Sequence, residues 1–347
     1  MAKTMRAIAK VRRQPGLELV EWKVPRIKPN EVLVRVKCTS ICGTDLHIYR
    51  WDHWSQRRIK VPQVVGHEFS GYVVAVGRQV KDIREGDYVS AETHETCGTC
   101  YACRIGMRVY CKNARILGVD RDGSFAEYVA VAADTIWKND PSIPPEVASV
   151  QEPLGNAMYV VSDSDVATKS VLVTGCGPFG LFAISIAKRC GATVVVAVEP
   201  NPYRRRLAKR VGADVVLDPR KDDVESEVMR LTDGEGAQVV LEMSGAAEAI
   251  RLGLKVLRNG GRLTLFGLPS DDVPIDVAEG VIFKGAHIVG IAGRRIFATW
   301  YQVNDFLKRR LIPVEKVITH RFPLEEFEKG FELMAQGKCG KVVLEVS

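Results

Sequence analysis

The rhythm of apolar and polar positions changes near residue 150, and the change predicts two kinds of architecture. Before it, Glu31-Val-Leu-Val-Arg-Val-Lys37 and Gly71-Tyr-Val-Val-Ala-Val-Gly77 read as strands, bounded by Pro29-Asn30 and by Gly77. No helix of convincing length is expected ahead of Glu152. From residue 170 six short apolar runs follow, over 171–174, 194–198, 215–217, 239–241, 263–266 and 287–291. Helix-compatible segments over 179–189, 203–211 and 246–257 separate several of them. Strands that are apolar throughout, alternating with helices, specify a parallel sheet covered on both faces. Past Trp300 the pattern loosens into a helix over 301–310, an extended Ile318-Thr-His-Arg-Phe322 and a closing strand Lys341-Val-Val-Leu-Glu-Val346. The expected organisation is a β-rich domain over 1–155, an α/β nucleotide-type domain over 156–295, and a tail over 296–347 that returns to the first.

Composition narrows the class without changing this picture. The 347 residues are 46% hydrophobic and 26% charged, as expected of a globular chain. No apolar run approaches the length that spans a bilayer, and the N-terminus lacks the layout of a signal peptide, so a cytoplasmic protein is expected. The net charge of +7 is spread along the chain rather than gathered on one element, which argues against a nucleic-acid partner.

Nine cysteines include a cluster, Cys97, Cys100, Cys103 and Cys111, spaced two, two and seven residues apart. Thiolates two residues apart point the same way across a tight turn and can share one ion; four of them close a tetrahedral site. The competing readings are an iron–sulfur cluster, whose cysteine runs are spaced differently, and a disulfide pair. The spacing favours structural zinc. A closed site of this kind organises a loop and carries out no reaction.

The second motif is Gly175-Cys-Gly177-Pro-Phe-Gly180, which follows the strand over 171–174 and opens a helix. Its first glycine allows the tight turn, its second lets backbone approach a pyrophosphate, and its third permits close packing of helix on strand. Glu199 ends the next strand 19 residues after Gly180, where a carboxylate accepts from a ribose diol and repels a 2′-phosphate. That favours NAD. Arg204 lies close enough in sequence to serve either a 2′-phosphate or an adenine pocket.

Two further segments carry donor atoms, Cys42-Gly-Thr44-Asp45-Leu-His47 and Gly66-His67-Glu68-Phe-Ser-Gly71. Singly each is unremarkable: an isolated cysteine is a small hydrophobe and an isolated histidine a turn residue. Together with Glu92-Thr-His94, Gln151-Glu152-Pro-Leu-Gly-Asn156-Ala and Gly290-Ile-Ala-Gly-Arg294, they give a chain that resembles the zinc-dependent medium-chain dehydrogenase/reductases over essentially its full length. The resemblance implies a GroES-like catalytic domain and a Rossmann domain with a doubly wound parallel sheet that binds NAD. It implies a catalytic zinc on Cys42, His67 and Glu68 beside the structural zinc of the four cysteines, hence two zinc ions per subunit. It assigns catalysis to Thr44, His47 and Glu152, with His94 as a substrate candidate. To the cofactor it assigns Gly175, Gly177, Phe179, Gly180, Glu199, Arg204, Phe266, Gly267, Leu268, Ile291 and Ala292. Within the family the likeness is to the branch that oxidises L-threonine at its 3-hydroxyl, through zinc-assisted alkoxide formation and hydride transfer. The alternative is a polyol or secondary alcohol such as sorbitol or 2,3-butanediol. A homo-oligomer, as a homotetramer, is the implied assembly, with no nucleic acid and no membrane.

Overall fold

A computed structural model describes residues 3–347. They form two compact units, one of them Met1–Pro153 with Arg295–Lys308 and Ile318–Ser347, the other Leu154–Arg294 with Arg309–Val317. Residues 309–317, grouped with the returning tail on sequence, pack instead in the second unit. The reason is local: Val314 and Val317 are buried, and their short helix Val314–Val317 meets the helices Pro178–Arg189 and Pro202–Val211.

The first unit is built on a seven-stranded sheet. Its path runs Ile136–Lys138, Tyr88–Ala91, Glu68–Val76, Glu31–Ser40, Lys341–Glu345 and Ile318–Pro323, and Tyr128–Ala132 joins it beside Glu31–Ser40. A smaller sheet orders Glu18–Lys23, Thr4–Lys10 and Gln63–Val64. Strand Glu31–Ser40 is the hub, because its alternation of apolar and polar positions leaves Val32, Val34 and Val36 inside while Arg35 and Lys37 face out. The core gathers Ile8, Val34, Phe69, Phe125, Phe331 and Leu344. Two helices that the apolar pattern did not announce, Gly43–Arg50 and His53–Arg58, follow the hub strand. They are too short to display a period, and end groups define them instead. The Cys42 amide donates to Asp45 at 2.8 Å, and the Asp52 carboxylate accepts from the Ser55 amide at 3.0 Å.

The second unit is one parallel sheet in the order Val215–Leu217, Val194–Val198, Ser170–Thr174, Ala237–Glu242, Leu257–Leu265 and His287–Gly290. The chain starts at Ser170–Thr174, winds outward on one side, and crosses over to Ala237–Glu242 to wind outward on the other. Strand order therefore reverses between these two strands, and a crevice opens beyond their carboxyl ends, where open α/β sheets bind ligands. Leu172, Val196, Val240, Leu254 and Leu263 form the core beneath.

The C-terminal helix Phe327–Ala335 fastens the first unit through Phe331, whose ring stacks on Tyr49 at 4.7 Å and meets Phe125 edge-on at 6.5 Å. Replacing a fully buried phenylalanine by alanine removes apolar burial and leaves a cavity, at a cost of about 3–5 kcal/mol. Phe331→Ala is therefore expected to lower the urea midpoint of the first unit's transition by that equivalent. A shift below about 1 kcal/mol would show that the ring is dispensable.

Candidate metal and cofactor sites

Each donor in the first unit is placed by a different backbone device. Cys42 stands at the start of helix Gly43–Arg50, where its thiol faces the first turn. His67 follows Gly66, whose φ of +87° is open to glycine alone, and a Cβ at Gly66 would meet the Phe125 ring at 2.0 Å. Glu68 opens strand Glu68–Val76 directly across from Ser40 in the antiparallel register. As a result one donor atom from each of Cys42, His67 and Glu68 lies within 4.8 Å of the others, and all three residues are buried.

The chemistry of this trio fits zinc. Thiolate, imidazole and carboxylate are its ordinary donors, and three protein ligands leave a coordination position open. The charge balance points the same way. Burial pushes the His67 ring downward, yet Asp45 and Cys42 outweigh it and raise the ring to about 10, so its acidic neighbours favour positive charge at this point. His67 Nδ1 and Asp45 Oδ1 face each other at 3.6 Å, beyond hydrogen-bond distance, and neither atom has a hydrogen-bond partner. Asp45 thus faces His67 as a charge partner while its other oxygen holds the Cys42 amide.

Glu68 is engaged on both oxygens. The Lys341 ammonium donates to Oε1 at 2.7 Å and lies 2.5 Å from Oε2, which also accepts from the Ser40 hydroxyl. Burial pushes the Lys341 ammonium down and Glu68 more than restores it, so a charged lysine sits inside the core. Coordination by Glu68 therefore competes with this pair.

Of the residues expected to act on substrate, Thr44 Oγ1 is 3.9 Å from Cys42 Sγ. His47 Nδ1 lies 2.5 Å from Asp52 Oδ2. Burial raises the Asp52 carboxyl, but the Ser55 amide and the His47 ring together hold it below its ordinary value. Glu152 is buried and accepts from Thr93 Oγ1 at 3.3 Å. His94 donates its backbone amide to Glu92 and also bonds Glu92 and Thr93 through its ring.

The four cysteines of the lobe come together as well, with their sulfurs within 4.8 Å of one another. Cys97 and Cys111 sulfurs are 3.5 Å apart and Cys100 and Cys111 3.8 Å. Four thiolates around one zinc at ~2.3 Å would stand roughly 3.8 Å from each other, whereas a disulfide requires ~2 Å. All nine cysteines of the chain are free thiols. The Thr99 and Cys100 amides draw the Cys97 thiol down to about 5, which favours the ligating thiolate.

The second unit supplies the cofactor cradle. Gly175 has φ +88° beside Ser244, and a Cβ on Gly180 would lie 1.9 Å from the Gly175 carbonyl. Gly177, by contrast, has open space where a side chain would stand, directly before helix Pro178–Arg189. A cavity of about 550 Å³ lies here, lined among others by Gly175, Gly177, Glu199, Arg204, Met243 and Ser244. Glu199 accepts from the Cys176 amide at 2.7 Å and the Asn201 amide at 2.9 Å, so it binds the glycine turn to the end of its own strand. Phe179 meets Phe266 edge-on at 5.2 Å. Gly180, Phe266, Gly267, Leu268, Ile291 and Ala292 do not line this cavity. The last five follow the carboxyl ends of Leu257–Leu265 and His287–Gly290, and Leu268 is 89% exposed. A larger cavity of about 670 Å³, beside Trp22 and Tyr128, contains none of the donors.

Sequence reasoning missed Asp45, Asp52, Glu92, Trp300, Lys341 and Glu242. Glu242 accepts from the Ser244 amide at 2.8 Å and thereby shapes the cavity rim. For Asp45 the signal was present, since an acidic residue three positions after a turn residue is a capping pattern. Asp52, three residues before Ser55, carried a similar capping signal, whereas Lys341 and Trp300, whose partners lie 273 and 208 residues away, carried none.

Comparison with known proteins agrees with this geometry. Residues 28–144 match the alcohol dehydrogenase GroES-like domain, and residues 178–309 match the zinc-binding dehydrogenase family. An L-threonine 3-dehydrogenase of Caldanaerobacter subterraneus subsp. tengcongensis is 51% identical over 98% of this chain and 98% of its own. An alcohol dehydrogenase of Escherichia coli CFT073, solved with NADH, superposes with a TM-score of 0.90 at 29% identity, over 99% of this chain and all of that one. The 2R,3R-butanediol dehydrogenase of Bacillus subtilis gives 0.89 at 28% identity, over 98% of this chain and 99% of that one.

Two separate zinc sites make distinct predictions. Metal analysis of the purified chain is expected to give two zinc ions, and one each for Cys42→Ala and Cys100→Ser. Cys100→Ser should also lower thermal stability, because structural zinc contributes folding free energy directly. Retention of both ions by either variant would refute the corresponding assignment.

Proposed function

The chain belongs to the zinc-dependent medium-chain dehydrogenase/reductases, and we propose that it oxidises L-threonine at the 3-hydroxyl to 2-amino-3-oxobutanoate with NAD. The observation that carries this reading is the full-length likeness to L-threonine 3-dehydrogenases in a chain whose Cys42, His67 and Glu68 converge in a buried cluster. Zinc held by these three residues supplies a Lewis acid that makes the substrate hydroxyl more acidic. NAD held by the glycine turn supplies the hydride acceptor, with Glu199 favouring a free ribose diol over a 2′-phosphate.

The chain's own side chains handle the proton. Thr44, adjacent to the Cys42 sulfur, accepts the hydroxyl proton and passes it to His47, which is 60% exposed and delivers it to solvent. Asp52 holds His47 by one ring nitrogen and leaves the other for the transfer. Glu152 lies beside Thr93 in the buried interior and assists as a carboxylate at the reacting end. Hydride leaves the carbinol carbon, the proton leaves the oxygen, and the two losses together yield the ketone. His94 orients the substrate.

The protein works on a small-molecule alcohol in the cytoplasm, which its nine free thiols support. Among the described residues no helix is long and apolar enough to cross a membrane. It assembles with itself, as a tetramer, and strand His287–Gly290 supports an interface because it ends its sheet with one edge unpaired. Exposed Ile282, Phe283 and Ile288 nearby add apolar area for burial.

A substrate panel with NAD tests the assignment: kcat/KM for L-threonine should exceed that for sorbitol and for 2,3-butanediol, and the reverse order would sink it. Thr44→Val should lower kcat about 100-fold without loss of zinc, as expected for a group that relays a proton. Unchanged turnover would remove Thr44 from the relay.

A further inference from the structure

Glu242 is the carboxylate on which the loops around the nucleotide crevice converge. It ends strand Ala237–Glu242, beside the point where strand order reverses, and is fully buried. Oε1 accepts from the Ser244 amide at 2.8 Å, from the Gly245 amide at 3.0 Å and from the Ser244 hydroxyl. Oε2 accepts from the Gly245 amide at 3.1 Å. The Thr174 hydroxyl reaches Oε1 at 3.5 Å from the end of the neighbouring strand. Both oxygens act only as acceptors, as an ionised carboxylate does, and amides and hydroxyls compensate the buried charge. The main chain extends this hold to a third loop, because the Glu242 carbonyl accepts from the Phe266 amide at 2.9 Å and the Gly267 amide at 3.2 Å.

These bonds fix a spacing too close for side chains. A Cβ on Gly175 would meet Ser244 Cβ at 2.7 Å, one on Gly267 the Gly245 nitrogen at 2.0 Å, and one on Gly245 the Leu268 carbonyl oxygen at 2.4 Å. Three glycine backbones therefore interlock around the turn that Glu242 holds. Met243 and Ser244 from that turn, and Gly175 from the first loop, line the nucleotide cavity, whereas Glu242 stands outside its lining. A turn of small residues has few apolar contacts of its own and retains much backbone freedom unless its amides are bound. The Glu242 carboxylate supplies that binding.

We infer that Glu242 is a positioning residue for the dinucleotide, holding the Ser244–Gly245 turn against the Gly175 turn so that the cavity is shaped before the cofactor enters. A loop ordered in advance leaves less ordering cost to be met on binding. The inference rests on the NAD reading and deepens it, since it makes affinity depend on a residue outside the cavity lining.

Two variants of the zinc-loaded chain test it, Glu242→Gln and Glu242→Asp. Each is titrated with NADH by dinucleotide fluorescence, and melting temperature and hydrogen exchange over 243–268 are measured alongside. Glutamine keeps an oxygen where Oε1 collects most of the bonds, so its NADH affinity should stay within about threefold of wild type. Aspartate keeps the charge but falls one methylene short, and should weaken NADH binding about tenfold, the effect of one lost charge-assisted hydrogen bond. Exchange over 243–268 should quicken in Glu242→Asp, and the KM for NAD should rise while kcat at saturating NAD holds. Wild-type affinity in Glu242→Asp, or an equal loss in Glu242→Gln, would overturn the inference. Should a variant fail to fold, the wild-type protein decides: 243–246 must already be protected without cofactor, and protection gained only with NADH would overturn the inference. A wild type that does not bind NADH defeats the NAD reading itself, whereas a wild type that binds it alongside an equally tight Glu242→Asp defeats only the role given to Glu242.

Discussion

Negative charge buried in an apolar interior must be compensated, and the first unit is organised around that requirement. Cys42, Asp45, Glu68, Glu92 and Glu152 are all buried within one β-rich core. An isolated carboxylate in such surroundings costs several kcal/mol, so each must find donors or a cation. Lys341 and Ser40 serve Glu68, the Cys42 amide serves Asp45, and Trp300 with His94 serves Glu92. The Cys42, His67 and Glu68 trio offers the donors through which a metal cation could supply its compensation. The site and the fold are therefore mutually dependent: partners come from the first strands, the closing strand and the returning helix, so the unit must be completed by its C-terminal segments before its charges are balanced.

The second unit meets a different demand, that of letting backbone approach a phosphate. Here glycine serves by what it lacks. Gly180 admits the Gly175 carbonyl against the helix, Gly177 leaves open space, and Glu199 binds the turn in place through the Cys176 amide. Carboxylates in this unit act on amides of their own turns, so its geometry is local and repeats strand by strand. That difference explains why the two units were unequally legible. The parallel sheet could be read from six apolar runs, because each strand and its helix carry their own period. The short helices Gly43–Arg50 and His53–Arg58 could not, since fewer than three turns show no period and only their caps mark them.

Metal chemistry was legible wherever ligands lie close in sequence. Cys97, Cys100, Cys103 and Cys111 share one loop, so spacing alone implied convergence, and the structure brings their sulfurs within 4.8 Å. Cys42 and His67 are on separate elements, and they were readable only because family likeness joined them. The groups that orient these donors were not readable at all. Lys341 is 273 residues from Glu68 and Trp300 is 208 from Glu92. A lysine or tryptophan in a C-terminal helix or strand looks like surface or core until the chain has folded back.

By itself, then, the sequence determined the donor types, the glycine turn and the succession of strands and helices, because spacing and periodicity are short-range properties that backbone geometry converts directly into local structure. Tertiary structure alone decided which charges face one another. It put Lys341 rather than solvent against Glu68, gave Asp45 to His67, and set Trp300 behind Glu92 and His94. The physical reason is that burying a charge is costly and its remedy is a partner at hydrogen-bond distance. Such partners can come from any part of the chain that the fold returns to the same place.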